Sequence, residues 1–150
     1  MKAIVHQKYG NSEVLELVEL EKPMPKDDEV LIKVRASSIN AAEWYGMVGL
    51  PIARLGEGLF KPKNIRLGAD YSGVVEAVGK NRNDFKVGDE VFGARTGAYA
   101  EYVCVKNIIT PKPKNITFEQ AASVPTAAIT ALQGLRDFGK IQAGQKVLIN

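Results

Sequence analysis

The order of residues predicts a mainly β fold, a small, partly open barrel with short helices, followed by the first helices and strand of an α/β unit. Three observations predict it. In the stretch 67–93, LGADYSGVVEAVGKNRNDFKVGDEVFG, glycines at 68, 73, 79, 88 and 93 punctuate apolar runs such as Val74–Val78 and Val91-Phe92. Short strands joined by tight turns are written this way. Further strand-like runs stand on both sides of it, and beyond Thr117 the pattern changes to alanine-rich helix and a closing apolar run.

Residues 2–6 and 14–20 read as two strands around the turn Tyr9-Gly10-Asn11-Ser12, the second alternating with period two. Lys22-Pro23-Met24-Pro25 breaks the pattern, and residues 29–36 (EVLIKVRA) form a half-buried strand with Val30, Ile32 and Val34 on one face. A short helix over 41–47 follows, because Asn40 can cap it and Glu43 completes a capping box. From Gly46 to Arg66 no period holds, so a long loop is expected, with Leu50, Ile52, Leu55, Leu59 and Phe60 as apolar anchors. In the glycine-punctuated stretch, Gly88 supplies a turn residue able to take positive φ, and Gly73 and Gly79 leave room for a crossing backbone or a bulge.

Residues 98–105 and 107–110 read as further strands. Thr117 and Gln120 then open a second capping box, and residues 118–138 read as helix, interrupted at Pro125 and stopped by Gly139. Its alanines at 121, 122, 127, 128 and 131 make a thin helix suited to close packing. The run 147–150 is continuously apolar up to Asn150, as in the first buried strand of a parallel α/β sheet. Alone it has no partners, so we expect an amino-terminal piece of something larger, with this run disordered or paired with an edge in another molecule.

Composition narrows the function. At 150 residues, 45% hydrophobic and 25% charged, the chain is of ordinary globular type, and no apolar run approaches the roughly 20 residues of a membrane helix. The start lacks the apolar core of a secretory signal, and the lone Cys104 allows no internal disulfide; both agree with a cytoplasmic location. The formal charge of +3 is spread out, and its densest patches, Lys61-Pro62-Lys63 and Lys112-Pro113-Lys114, lack stacking aromatics and read as solvated loops. A nucleic-acid partner is therefore not expected. Without a Gly-x-Ser-x-Gly elbow, and with His6 as the single histidine in an opening strand, hydrolase triads are set aside. One cysteine and one distant histidine do not supply a zinc site.

The remaining polar cluster is Ser38, Asn40, Glu43, Trp44 and Tyr45. Two accounts of it stand. Asn40 with Glu43 is fully explained as a helix cap, with Trp44 filling core; or Asn40 and Tyr45 aim donors into a pocket while Glu43 orients them or relays a proton.

At these residues the chain resembles the amino-terminal part of the medium-chain dehydrogenase/reductase family, especially its zinc-independent quinone oxidoreductase-like branch. The resemblance is carried by Ser38-Ile39-Asn40-Ala41-Ala42-Glu43-Trp44, by 67–79, by Gly88-Asp89-Glu90-Val91-Phe92-Gly93, and by Ala121–Pro125 through Thr130-Ala131-Leu132. Residues 144–150 are similar to the family's lead-in to its glycine-rich dinucleotide turn.

The resemblance implies a GroES-like β-barrel catalytic domain over residues 1–120 and the start of a truncated Rossmann dinucleotide-binding domain over 121–150. It implies that the positions holding catalytic zinc in metal-dependent relatives are here Asn40, Ala69 and Thr126, a set without a good zinc ligand, so no metal is expected. Asn40 and Tyr45 then line the active cleft as catalytic residues, Glu43 is the acidic group beside them, Thr130 and Asn40 meet the nicotinamide, and Asp70 supports the cleft. The expected whole is a homodimeric NADPH-dependent oxidoreductase that reduces quinones, enones or small carbonyl compounds such as aldehydes by hydride transfer. A zinc-type alcohol dehydrogenase and a non-enzymatic GroES-like binding module are the alternatives.

Overall fold

The structure is a computed structural model describing residues 1–149. Among the described residues seven strands build two antiparallel sheets that do not close on each other. Strands β1 (Lys2–His6) and β2 (Leu15–Glu19) form a ribbon. The second sheet has the order β6-β3-β4-β5-β7, with β3 Val30–Ala36, β4 Asp70–Val78, β5 Glu90–Ala94, β6 Tyr102–Val105 and β7 Ile109–Pro111. Single bridges Ala3↔Ala100 and Val5↔Arg66 tie the ribbon to the segments beside the larger sheet. This is the partly open, mainly β architecture that the glycine-punctuated pattern predicts.

The core lies on the five-stranded sheet, where Val30, Ile32, Tyr71, Val75, Val91, Ala98, Val103 and Val105 form one buried cluster. Central position explains why β3 is more than half-buried: Val30, Leu31 and Ile32 are all enclosed, and alternation returns only at Lys33. Gly73 does what its place suggests. A Cβ there would meet the Lys33 carbonyl of the neighbouring strand, beside a register shift between Val34 and Ala36. Gly88 turns the chain at φ 94°.

Several expectations are corrected. The expected loop 46–66 contains helix: α1 runs Ala41–Val48, and α2 spans Pro51–Glu57 with proline in its first turn and Gly58 closing it. Helix α2 buries no residue, so no apolar period marks it, and the supposed anchors Ile52, Leu55, Leu59 and Phe60 are exposed, Phe60 by 95%. The strand expected over 98–105 begins only at Tyr102, because Ala98 and Tyr99 bond instead to the Leu67–Gly68 backbone. Val14 belongs to a short 3-10 turn ahead of β2. Lys112 is not solvated: its ammonium, on a side chain 6% exposed, bonds Glu90 at 3.0 Å and the Ile116 carbonyl at 2.8 Å. Trp44 is about half exposed and fills no core.

The region after Thr117 begins with the expected capping box and helix α3 (Phe118–Ala122). It continues as a wide π-helical turn over Val124–Ala128, helix α4 (Ile129–Leu132) and a second π-helical stretch, Gln133–Phe138. Only Ala121 and Ala122 of the alanine set are buried; 127, 128 and 131 are exposed. Residues 147–149 form no strand and are exposed, Leu148 by 94%, while Asn150 lies outside the described residues.

Candidate functional site

The site is assembled where β3 ends, α1 begins and β4 starts. Asp70, the first residue of β4, is wholly buried. A carboxylate there must find donors or forfeit its solvation, and it finds four. Ser38 Oγ donates to Oδ2 at 3.1 Å, Asn40 Nδ2 at 3.2 Å and the Thr126 N–H at 3.1 Å, while Thr126 Oγ1 donates to Oδ1 at 2.7 Å. Both oxygens are therefore consumed within the chain, and one residue clamps the β3–α1 junction to the π-helical turn. Ser72, also buried, adds a second tie by donating to the Phe118 carbonyl at 2.6 Å.

A carboxylate only accepts, so Asp70 fixes which face of the Asn40 amide it meets. The second N–H of that amide has only a 3.4 Å contact with Ser38 Oγ. Asn40 also serves as helix cap: Glu43 Oε2 accepts its backbone N–H at 2.7 Å within a capping box. The cap account is found as expected, and the cap places Glu43 beside Asn40.

Glu43 Oε2 accepts a second bond, from the Tyr99 hydroxyl at 2.9 Å; that hydroxyl also lies 3.1 Å from the Ser38 carbonyl. Burial, with the Glu43 carboxylate in contact, pushes the Tyr99 hydroxyl above the ordinary tyrosine range. The other Glu43 oxygen, Oε1, is buried without a hydrogen-bond partner among the described residues. So is Nδ1 of His6, a residue only 3% exposed. Both side chains line one cavity of about 210 Å³, walled also by Ala42, Arg66 and Ala69. The backbone explains why His6 faces this space: its N–H donates to the Ile65 carbonyl at 2.9 Å, pinning the end of β1 under the segment that leads into β4.

Of the residues singled out from the sequence, Asn40 and Glu43 are brought together and Tyr45 is not. Tyr45 is half exposed and stands edge-on to Trp44 at 5.3 Å, with no hydrogen bond to Asn40 or Glu43 among the described residues. Thr130 is exposed on α4, four residues beyond Thr126. The residues missed are Tyr99 and His6, whose roles depend on contacts across the sheets. Gly68, at φ 94°, lets the two segments approach: a Cβ on it would run into the Tyr99 backbone.

Asn40, Ala69 and Thr126, the three positions compared above with a zinc set, present an amide, a methyl group and a hydroxyl, and the carboxylate among them is saturated by donors. Among the described residues no group of three His, Cys, Asp or Glu side chains is gathered to hold a metal.

Comparison with known proteins agrees with this architecture. The family described as "Alcohol dehydrogenase GroES-like domain" matches residues 26–114. Human quinone oxidoreductase is 34% identical over 157 residues, covering 100% of this chain and 45% of that protein. An NADPH-dependent alkenal/one oxidoreductase of Arabidopsis thaliana is 36% identical, covering 99% of this chain and 40% of that protein. Among solved structures, the quinone oxidoreductase from Coxiella burnetii superposes with a TM-score of 0.83 at 35% identity, over 95% of this chain and 46% of that one. The Escherichia coli quinone oxidoreductase complexed with NADPH gives 0.79 at 28% identity, over 92% and 41%. The chain spans less than half the length of these relatives. It belongs to the family of the alcohol dehydrogenase GroES-like domain.

Proposed function

We propose that the complete protein is an NADPH-dependent oxidoreductase that reduces quinones, enones or small carbonyl compounds without zinc. In this reading residues 1–120 form the substrate-side domain, 121–150 open the dinucleotide-binding domain, and the working form is a homodimer. The observation that carries it is the buried Asp70 carboxylate, which gathers Asn40, Ser38 and Thr126 into a donor cluster. Relatives named for quinone and alkenal/one reduction support the substrate class.

The residues present fit a nicotinamide. Thr130 offers an exposed hydroxyl about one turn beyond Thr126, which the same carboxylate ties to Asn40. They do not fit zinc, since residue 69 has no ligand atom and Asp70 has no oxygen to spare. When bound, NADPH supplies the hydride. This chain supplies position and polarity: the Asn40 N–H that makes only the 3.4 Å contact with Ser38 Oγ donates to the developing oxyanion, and Asp70 holds that amide so that little reorganisation is needed during reaction. Glu43, with one oxygen fixed by the Asn40 N–H and the Tyr99 hydroxyl, is the acidic group beside that amide. Tyr45 lines the outer cleft.

The test is NADPH oxidation by the complete protein with a panel of quinones and enones. Turnover is expected, with Asn40→Ala lowering kcat/KM by about a hundredfold, the order lost with one oxyanion donor. Thr130→Ala is expected to raise the KM for NADPH. No nicotinamide oxidation with any acceptor overturns the reading, and one tightly held zinc per chain overturns its metal-free form.

A further inference from the structure

Tyr99 is fixed by its backbone before its side chain reaches the site. Its N–H donates to the Leu67 carbonyl at 3.1 Å, and its own carbonyl accepts the Ile4 N–H at 2.8 Å, so it is tied both to β1 and to the segment leading into β4. Its neighbour Ala98 belongs to the buried core. From this platform the ring carries its hydroxyl to the β3–α1 junction, where two acceptors straddle Asn40: the Ser38 carbonyl at 3.1 Å and Glu43 Oε2 at 2.9 Å. Phenylalanine would fill nearly the same volume. The hydroxyl is what tyrosine adds, and both of its contacts flank Asn40. Glu43 passes the hold on: the Oε2 that accepts from Tyr99 also accepts the Asn40 N–H at 2.7 Å, and the Glu43 N–H donates back to the Asn40 carbonyl at 3.1 Å. Asn40 is thus gripped at its side chain by Asp70 and at its backbone by Glu43. Tyr99 ties the second grip to the sheets, since Asn40 and Glu43 are themselves neighbours at one helix start.

We propose that Tyr99 is a positioning residue for the reductase site, acting through Glu43 to hold Asn40 where its amide meets substrate; the proposal rests on the reductase reading above. Glu43 serves in it as a hydrogen-bond acceptor, because Oε2 is filled by two donors and Oε1 is buried. Tyr99 makes no bond to substrate and gives up no proton. Burial, with the Glu43 contact added, holds its hydroxyl protonated above the ordinary tyrosine range, so the bond to Glu43 is intact at working pH. A donor amide accelerates reaction only if it stands in place when the oxyanion forms, and loosening its support lowers the rate without removing the donor.

The test is made on the complete protein. Tyr99→Phe is expected to melt within a few degrees of the wild type and to lower kcat about tenfold, with the KM for NADPH nearly unchanged. No proton is exchanged, so the factor should be the same at every pH from about 6 to 9; a loss confined to one limb of the profile makes Tyr99 an acid and overturns the proposal. In an Asn40→Ala background the loss from Tyr99→Phe should vanish, since no amide is left to position; an undiminished loss there means that the hydroxyl acts on its own, and also overturns it. Should Tyr99→Phe fold poorly, the Glu43 variants decide. Glu43→Ala should lower kcat as far as Tyr99→Phe is expected to, whereas Glu43→Gln, which retains an acceptor oxygen, should lose less; equal losses overturn the acceptor role and the proposal with it. Unchanged kcat in a folded Tyr99→Phe overturns the positioning role and leaves the reductase reading intact. If the wild-type protein turns over no acceptor, the reductase reading fails and the positioning role fails with it.

Discussion

Asp70 shows how one buried charge organises a site without touching substrate. Its four donors come from Ser38, Asn40 and Thr126, so removing the carboxylate strands several polar groups at once. Asp70→Ala is expected to cost about 3–5 kcal/mol in urea unfolding, as when one partner of a buried charged cluster is deleted. Asp70→Asn, which keeps the shape and one acceptor, should cost about 1–2 kcal/mol; equal losses in the two variants would show that packing, not charge, sets the value. At this scale the sequence was informative where interactions are local. The Asn40/Glu43 capping box depends on a spacing of three residues and is found as expected. Tyr99 and His6 were not legible, because what makes them interesting is contact with Glu43 or its cavity, across 56 residues in the case of Tyr99.

Among the elements, strands were read more surely than helices. The strands at 2–6, 30–36 and 70–78 each bury apolar side chains, and burial imposes a pattern on sequence. Helix α2 has no buried face, so nothing periodic announced it; only Pro51 at its start and Gly58 at its end marked it. Two glycines separate these cases. Gly73→Ala would push a methyl group into the Lys33 carbonyl and is expected to destabilise by about 1–3 kcal/mol, as overpacking does. Gly56→Ala, within α2 and with nothing near the added methyl, should stabilise by about 0.4–1 kcal/mol. Denaturant midpoints of the two variants, which should move in opposite directions, check both.

For the whole molecule, the fold's buried tyrosines set an alkaline limit. Tyr71, fully enclosed, donates to the Ile108 carbonyl at 3.2 Å, and burial raises its hydroxyl above the ordinary range; burial and Glu43 do the same for Tyr99. Ionisation is resisted only in the folded chain, so this contribution is intact below the unfolded value near pH 10 and is lost as pH climbs through the raised folded values. Absorbance titration should therefore show two of the five tyrosines ionising only together with loss of near-ultraviolet circular dichroism. Independent ionisation of all five before unfolding would contradict it. The sequence by itself determined the strand-rich class, the turns at its glycines, both capping boxes and the family resemblance, since each depends on neighbours a few residues apart or on burial imposing a period. Only the tertiary structure decided that Asp70 would unite Asn40 with Thr126, that Tyr45 would stand apart, and that His6 and Glu43 would share a cavity. Those outcomes depend on how β1, the β3–α1 junction and β4 dock, and docking is set by packing of the whole core, not by any spacing along the chain.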